Sequence, residues 1–263
     1  MIVARSFHVG GVRLHAFSGS EIVAQVSAWC RAREVGRPRT VCLVNAYSVA
    51  SASTDDDFRR ALNDADLSIA DGVPVAWLGR RLLDGTCDRL SGPDLMHEML
   101  SDPVLADIRH FVFGGEQSAL DRLEFRYTRG GTARPRRIVG TWAPPFRELT
   151  PVEEAEFVAR LGQLRPDIVW VCLGTARQEK WMARMRHTLN VPVMVGVGAA
   201  VDFLSGNKPR APRWMQRSGL EWLFRLVTEP RRLWRRYLIG NLVFMRLAAA
   251  ELWRRRTVSP EQP

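Results

Sequence analysis

Long apolar runs are missing from this chain of 263 residues. No stretch reaches the roughly 18 apolar residues that a membrane-spanning helix needs, so a bilayer-crossing segment is excluded. Cysteine is scarce and scattered: Cys30, Cys42, Cys87 and Cys172 lie far apart, with no C-x-x-C pair among them. That spacing argues against a disulfide framework or a zinc site and fits reduced thiols in a cytoplasm. The opening residues lack the apolar core of a secretory signal, so no export signal is expected. None of His8, His15, His97, His110 and His187 stands at metal-ligand spacing to another. There is no G-x-x-x-x-G-K-[ST] loop and no G-x-S-x-G elbow, which removes the P-loop and serine-hydrolase readings. Internal repeats and low-complexity segments are also absent.

What is present is an ordinary globular composition, 46% apolar and 25% charged, with an uneven distribution of charge. Residues 207–256 hold 13 Lys and Arg against three acids (Glu221, Glu229, Glu251). The rest of the chain balances at 25 of each sign, so the whole net charge of +10 belongs to the last fifth. A neutral body with a basic tail implies an anionic partner for the tail, whether phosphate, acidic lipid or nucleic acid.

The body alternates apolar strands and helical patterns. Strands are expected at 39–45, 66–71, 110–115, 136–140, 167–174 and 191–198, and helices at about 54–64, 72–83, 91–100, 116–128, 151–162 and 177–189. A hairpin is expected around Gly10-Gly11. Continuous apolar strands in a β-α rhythm predict an α/β fold: a mostly parallel, Rossmann-like sheet with helices on both faces, carrying a basic helical C-terminal appendage. Ligands of such sheets bind beyond the carboxyl ends of the strands, which directs attention to Asn45, Asp71, Gly114-Gly115, Gly140-Thr141, Gly174-Thr175 and Gly198.

Several motifs at these ends have two readings. GVGAAV (196–201) opens like a dinucleotide fingerprint, but Val201 stands where the third glycine belongs. TDDDF (54–58) contains a D-x-D, yet three acids at a helix start are explained by capping and the helix dipole. Asp71, in SIADGVP, is either an N-cap or a general base at the crevice rim, and local sequence does not separate the two. CDRLSGPDL (87–95) and LGTARQEKW (173–181) read as capped helix starts or as anion-binding turns.

Taken together, N-A (45–46), A-D-G-V-P (70–74), D-R-L-S-G-P-D-L (88–95), F-G-G (113–115), P-D-I-V-W-V-C-L-G-T-A-R-Q-E (166–179), G-V-G-A-A-V-D-F-L-S-G (196–206), R-A-P (210–212) and E-W-L-F-R-L-x-x-E-P-R-R-x-x-R-R-Y (221–237) resemble the WecG/TagA/CpsF glycosyltransferase family across about residues 8–245. The resemblance implies an inverting, metal-independent transfer of glucose or N-acetylmannosamine from a UDP-sugar to a polyprenyl-diphosphate-linked acceptor. That reaction serves exopolysaccharide, capsule or teichoic-acid-type assembly. No cofactor and no metal are implied. By motif, the catalytic residues become Asp71, Arg89 and Gln178. Substrate binding falls to Asn45, Gly72, Asp94, Gly114, Gly174, Glu179, Gly198, Asp202, Arg210, Arg225, Arg231, Arg232 and Arg235. Two positions depart from the pattern: Leu43-Val44 precede Asn45 where a threonine is usual, and Ala176 replaces a proline, which is expected to loosen that turn.

The expected organisation is a catalytic domain over 1–206, a membrane-associating appendage over 207–256 and a disordered tail over 257–263. The appendage combines an apolar run with Trp253, Tyr237 and flanking arginines, as an in-plane helix on anionic lipid does. This places the protein on the cytoplasmic face of a bacterial inner membrane, as a homo-oligomer by resemblance and with no nucleic-acid partner. Two alternatives stay open at this stage, a basic nucleic-acid-binding protein and a Rossmann-type nucleotide-dependent enzyme.

Overall fold

Gly10 and Gly11 take φ of 57° and 77°, the pair of left-handed residues that a two-residue hairpin requires. They join β1 (Arg5–Val9) to an antiparallel β2 (Val12–Ala16), with Val9 opposite Val12. This is a computed structural model, and it describes residues 5–34, 36–83, 85–128 and 137–258. After the hairpin come α1 (Gly19–Ala32), β3 (Arg39–Val44), α2 (Ala46–Ala52), α3 (Asp56–Asn63), β4 (Leu67–Ala70), α4 (Val73–Leu83) and α5 (Gly92–Ser101). The chain continues through β5 (His110–Phe113), α6 (Gln117–Thr128), β6 (Ile138–Trp142), α7 (Pro151–Leu164), β7 (Ile168–Val171), α8 (Arg177–Met185), β8 (Val193–Gly196) and α9 (Ala200–Leu204). The last three helices are α10 (Arg213–Arg217), α11 (Glu221–Thr228) and α12 (Pro230–Val258).

The eight strands form one sheet in the order β1-β2-β4-β3-β8-β7-β5-β6, parallel throughout except for the β1–β2 hairpin. The expected α/β sheet is therefore present. Side chains alternate across it and feed two cores. Cys42, Val44, Val169 and Val171 face one layer of helices, whereas Val41, Leu43, Ile168 and Trp170 face the other. Full burial of each aliphatic side chain contributes about 1.5–3 kcal/mol, so both faces of the sheet must be covered.

Local signals set the helix starts. Ser18 with Glu21, and Thr150 with Glu153, form capping boxes on α1 and α7. Asp55 caps α3 and bonds the Lys180 ammonium at 2.7 Å, so the TDDDF acids do structural work at a helix end. Three elements differ from the sequence expectation. Helices α1 and α2 were not expected, whereas the helix expected at 54–64 is present as α3, opened by the TDDDF acids. Strand β6 sits two residues later than expected, and Arg136, its expected first residue, lies outside the described residues.

The C-terminal helix is bound to the body. Phe244 and Ala248 of α12 are buried in the same core as Val9, Val12 and Val49, Leu247 packs on that core, and Leu233 is buried as well. Thr257 and Val258 complete α12, while residues 259–263 of the tail expected to be disordered lie outside the described residues. No helix among the described residues is long and apolar enough to cross a membrane. The four cysteines are free, three of them buried.

Candidate active site

The strand order decides which loops meet. β4, β3, β8 and β7 are neighbours, so Asp71, Asn45, Gly198 and Gly174 emerge side by side beyond their carboxyl ends. A cavity of about 250 Å³ opens there, and α11 and α12 close its far side. Gly114 follows β5, which lies beyond β7, and it does not reach the cavity. Its φ is 111°, and a Cβ there would stand 2.5 Å from the Cys172 carbonyl oxygen. Gly114, expected to contact substrate, stands outside the cavity and permits close backbone packing on Cys172.

Asn45 and Asp71 form the first functional unit. Asn45 caps α2: its Oδ1 accepts from the Ser48 amide at 3.1 Å, which turns Nδ2 outward. That Nδ2 donates to Asp71 Oδ2 at 3.2 Å. Among the described residues the Asp71 carboxylate makes no capping bond to α4, whose first residue is Val73. A carboxylate on a rigid strand end, oriented by an amide and left with a free oxygen, suits proton abstraction better than capping. Gly72 lies on the Asn45 backbone and lines the same wall.

Gln178 stands opposite, in the first turn of α8. Its Oε1 accepts from the Gly198 amide at 3.0 Å, and its Nε2 donates to Glu179 Oε1 at 2.8 Å. In the turn before it, Ala176 takes φ 70° and ψ −45°, a backbone state closed to proline, whose ring holds φ near −65°. Glu179 does not line the large cavity. It lies behind Gln178 against a second, smaller cavity of about 50 Å³ shared with Thr40, Cys42 and Arg186.

Glu179 is 2% exposed, and burial pushes its carboxyl up from an ordinary 4.5 to about 7 against the opposing bond from Gln178. The folded protein therefore holds this proton more tightly than the unfolded chain. Its contribution to stability is present at low pH and is lost as pH rises from about 4.5 to 7, by up to roughly 3 kcal/mol. Glu179→Gln is expected to remove that loss. Urea unfolding at pH 5 and pH 8 will read it as a stability difference that moves in the variant's favour at the higher pH.

The basic tail forms the remaining wall, and its ion pairs sort the arginines. Arg89 donates to the Gln216 carbonyl at 2.6 Å and to Glu221 at 2.9 Å. Arg210 pairs with Asp94 at 2.7 Å and approaches Glu221 at 3.5 Å. Burial alone would push the Asp94 carboxyl up, but the bonds from Arg210 and Ser91 bring it below its usual range. Lys208 bridges Asp202 and Glu229 at 3.4 and 3.5 Å. Asp94, Asp202 and Arg210 were expected to bind substrate, yet they are placed as the clasp that holds the tail on the body. Arg89 lines the cavity and belongs to the same clasp.

Two cavity arginines differ from these. Arg236 stacks over Tyr47 at 4.5 Å and donates to Thr175 Oγ1 at 3.1 Å, while Arg225 lies 5.3 Å over Phe203. Neither pairs with a carboxylate among the described residues, and both have a buried Nε without a partner. Burial pulls the Arg236 guanidinium below its usual range, against the nearby charge of Asp71. Two desolvated, unpaired cations facing one cavity make a site for an anion. Arg232 also reaches the cavity but pairs with Glu229. Arg231 and Arg235 are exposed outside it, and Arg235 lies over Trp234. Tyr47, Thr175, Glu221, Trp222 and Tyr237 line the cavity but were not among the site residues read by motif. Helical spacing signals Arg236, which lies one turn beyond Arg232. Among the described residues no group of three or more His, Cys, Asp or Glu is arranged to hold a metal.

The chain is 28% identical over 199 residues to the N-acetylglucosaminyldiphosphoundecaprenol N-acetyl-beta-D-mannosaminyltransferase of Bacillus subtilis (strain 168), covering 75% of this chain and 74% of that protein. The profile of the Glycosyl transferase WecG/TagA/CpsF family matches residues 7–258, which include the body, the cavity and the tail that closes it. The chain is a glycosyltransferase and belongs to that family.

Proposed function

We propose that the cavity carries out an inverting, metal-independent transfer of a hexose from a UDP-sugar to a polyprenyl-diphosphate-linked sugar. One observation carries the reading: a carboxylate held by an amide and two unpaired arginines face the same cavity, the carboxylate from a strand end and the arginines from α11 and α12. The acceptor hydroxyl oxygen attacks the anomeric carbon, and its proton passes to Asp71. The bond from that carbon to the diphosphate oxygen breaks, and UDP leaves with the electron pair. Arg225 and Arg236 take up the charge that develops on the diphosphate, a task for which guanidinium groups fit phosphate oxygens two at a time. The relative's name gives a lipid-diphosphate acceptor and N-acetylmannosamine, which is therefore the donor sugar to test first.

The outer face of α12 supports work at a membrane surface. Trp234, Leu238, Leu242 and Met245 are each about half exposed and recur at helical spacing, with Arg231, Arg235 and Arg246 exposed beside them. An apolar stripe flanked by basic residues matches an anionic lipid surface, where each cation contributes about 1 kcal/mol. On this reading the protein works peripherally on the cytoplasmic face of the inner membrane. Calorimetry with UDP, NAD and a single-stranded oligonucleotide, alongside sedimentation with phosphatidylglycerol vesicles, tests the assignment. Binding of UDP and of vesicles is expected; binding of NAD or of the oligonucleotide in place of UDP would refute it.

A further inference from the structure

The transfer steps leave Glu179 without a task, although keeping an ionisable carboxyl in this position costs stability. A glutamine side chain has two orientations related by a half-turn of its amide, and only neighbours of defined polarity distinguish them. Both neighbours of Gln178 do so. The Gly198 amide can only donate, and it meets Oε1 at 3.0 Å. An ionised Glu179 carboxylate can only accept, and it meets Nε2 at 2.8 Å. The backbone supplies room for this arrangement, since a Cβ at Gly196 would press on Gln178 Nε2 at 3.0 Å.

We infer that Glu179 is a positioning residue of the transfer site, whose buried acceptor oxygen locks the Gln178 amide so that one polarity faces the cavity. The inference rests on reading that cavity as the transfer site. An apolar residue at 179 would fill the same space at a lower cost of desolvation but would leave Nε2 without its acceptor. Charge is not what the role needs. Oε2 has no partner, so a proton taken up by the carboxyl settles there and Oε1 stays an acceptor. The ionisable groups around it are Cys42 of β3, Arg236 of α12, and Arg37, Asp64, Arg186 and His187 at the smaller cavity. Their titration is expected to leave the lock in place.

The test is a double-mutant cycle between positions 178 and 179, read by transfer and by nuclear magnetic resonance. Glu179→Met is expected to lower kcat about tenfold with the donor KM moved less than about twofold, as loss of an orienting hydrogen bond does. Glu179→Gln, which keeps an acceptor oxygen, is expected to retain at least about half of the parent kcat. In a Gln178→Met background, Glu179→Met should cost nothing further. The Gln178 side-chain amide protons should exchange slowly in the parent and in Glu179→Gln, and quickly in Glu179→Met.

Losses that multiply across the cycle would overturn the inference, as would a folded Glu179→Gln no more active than Glu179→Met. If Glu179→Met does not fold, unprotected Gln178 amide protons in the parent would overturn it without that variant. A parent that binds no UDP and transfers nothing overturns the functional reading instead, while the amide-exchange measurement still decides the lock.

Discussion

Asp71→Asn is expected to lower turnover about a thousandfold, within the range for removal of a general base, while leaving UDP affinity within about twofold. The separation follows from geometry. The Asp71 carboxylate bonds Asn45 at the end of β4, whereas the arginines proposed to hold the diphosphate come from α11 and α12. An amide at position 71 keeps the shape and, with its own oxygen turned toward Asn45 Nδ2, keeps that bond, but it takes up no proton. Steady-state transfer assays with calorimetry on UDP measure both quantities. Loss of UDP binding in step with turnover would place Asp71 in donor binding and end its assignment as the base.

Arg236→Ala is expected to act on the other half of the reaction, weakening UDP binding and lowering kcat/KM by about 10- to 100-fold. Arg236 stacks on Tyr47, is braced by Thr175 and has no carboxylate partner among the described residues, so its charge is free for the leaving diphosphate. Arg236→Lys should recover little of the loss, because an ammonium has neither the planar fork nor the stacking surface. Arg235→Ala serves as the contrast. Its side chain is exposed outside the cavity, so UDP affinity should hold within about twofold while vesicle binding weakens. Equal losses of UDP affinity in the two variants would show that the tail contributes general charge and no specific diphosphate contact.

The sheet and the position of the cavity were legible because both depend on local signals. Buried apolar runs mark β3, β4, β5, β7 and β8, and the residues that end them fall where a parallel sheet places its ligands. Asp71, Asn45, Gln178, Gly174 and Gly198 all line the cavity at those strand ends. What escaped was set by tertiary partners. Arg89 and Arg210 carry the charge expected of diphosphate ligands, but Glu221 and Asp94, distant in sequence, engage them as a clasp. Gln178 and Glu179 are adjacent in a motif, yet a helix turns neighbouring residues about 100° apart, so one faces the cavity and the other the core. The same turn separates Arg232 and Arg236 from Arg231 and Arg235. Gly114 falls outside the cavity because β5 lies beyond β7, and that crossing order is not written in any local stretch. Helix α2 is short and starts directly at the end of β3, so it lacked the length over which a helical period becomes visible.

The most direct measurement of the central claim is transfer itself. Purified protein is assayed with a panel of UDP-sugars, N-acetylmannosamine and glucose first, against a short-chain polyprenyl-diphosphate-linked N-acetylglucosamine. Each reaction is run with and without EDTA, beside the Asp71→Asn variant. The expected result is a lipid-linked disaccharide of inverted anomeric configuration from one donor, formed equally well in EDTA and reduced to background by Asp71→Asn. Product of retained configuration, product formed undiminished by Asp71→Asn, or UDP binding with no transfer from any donor would contradict the account.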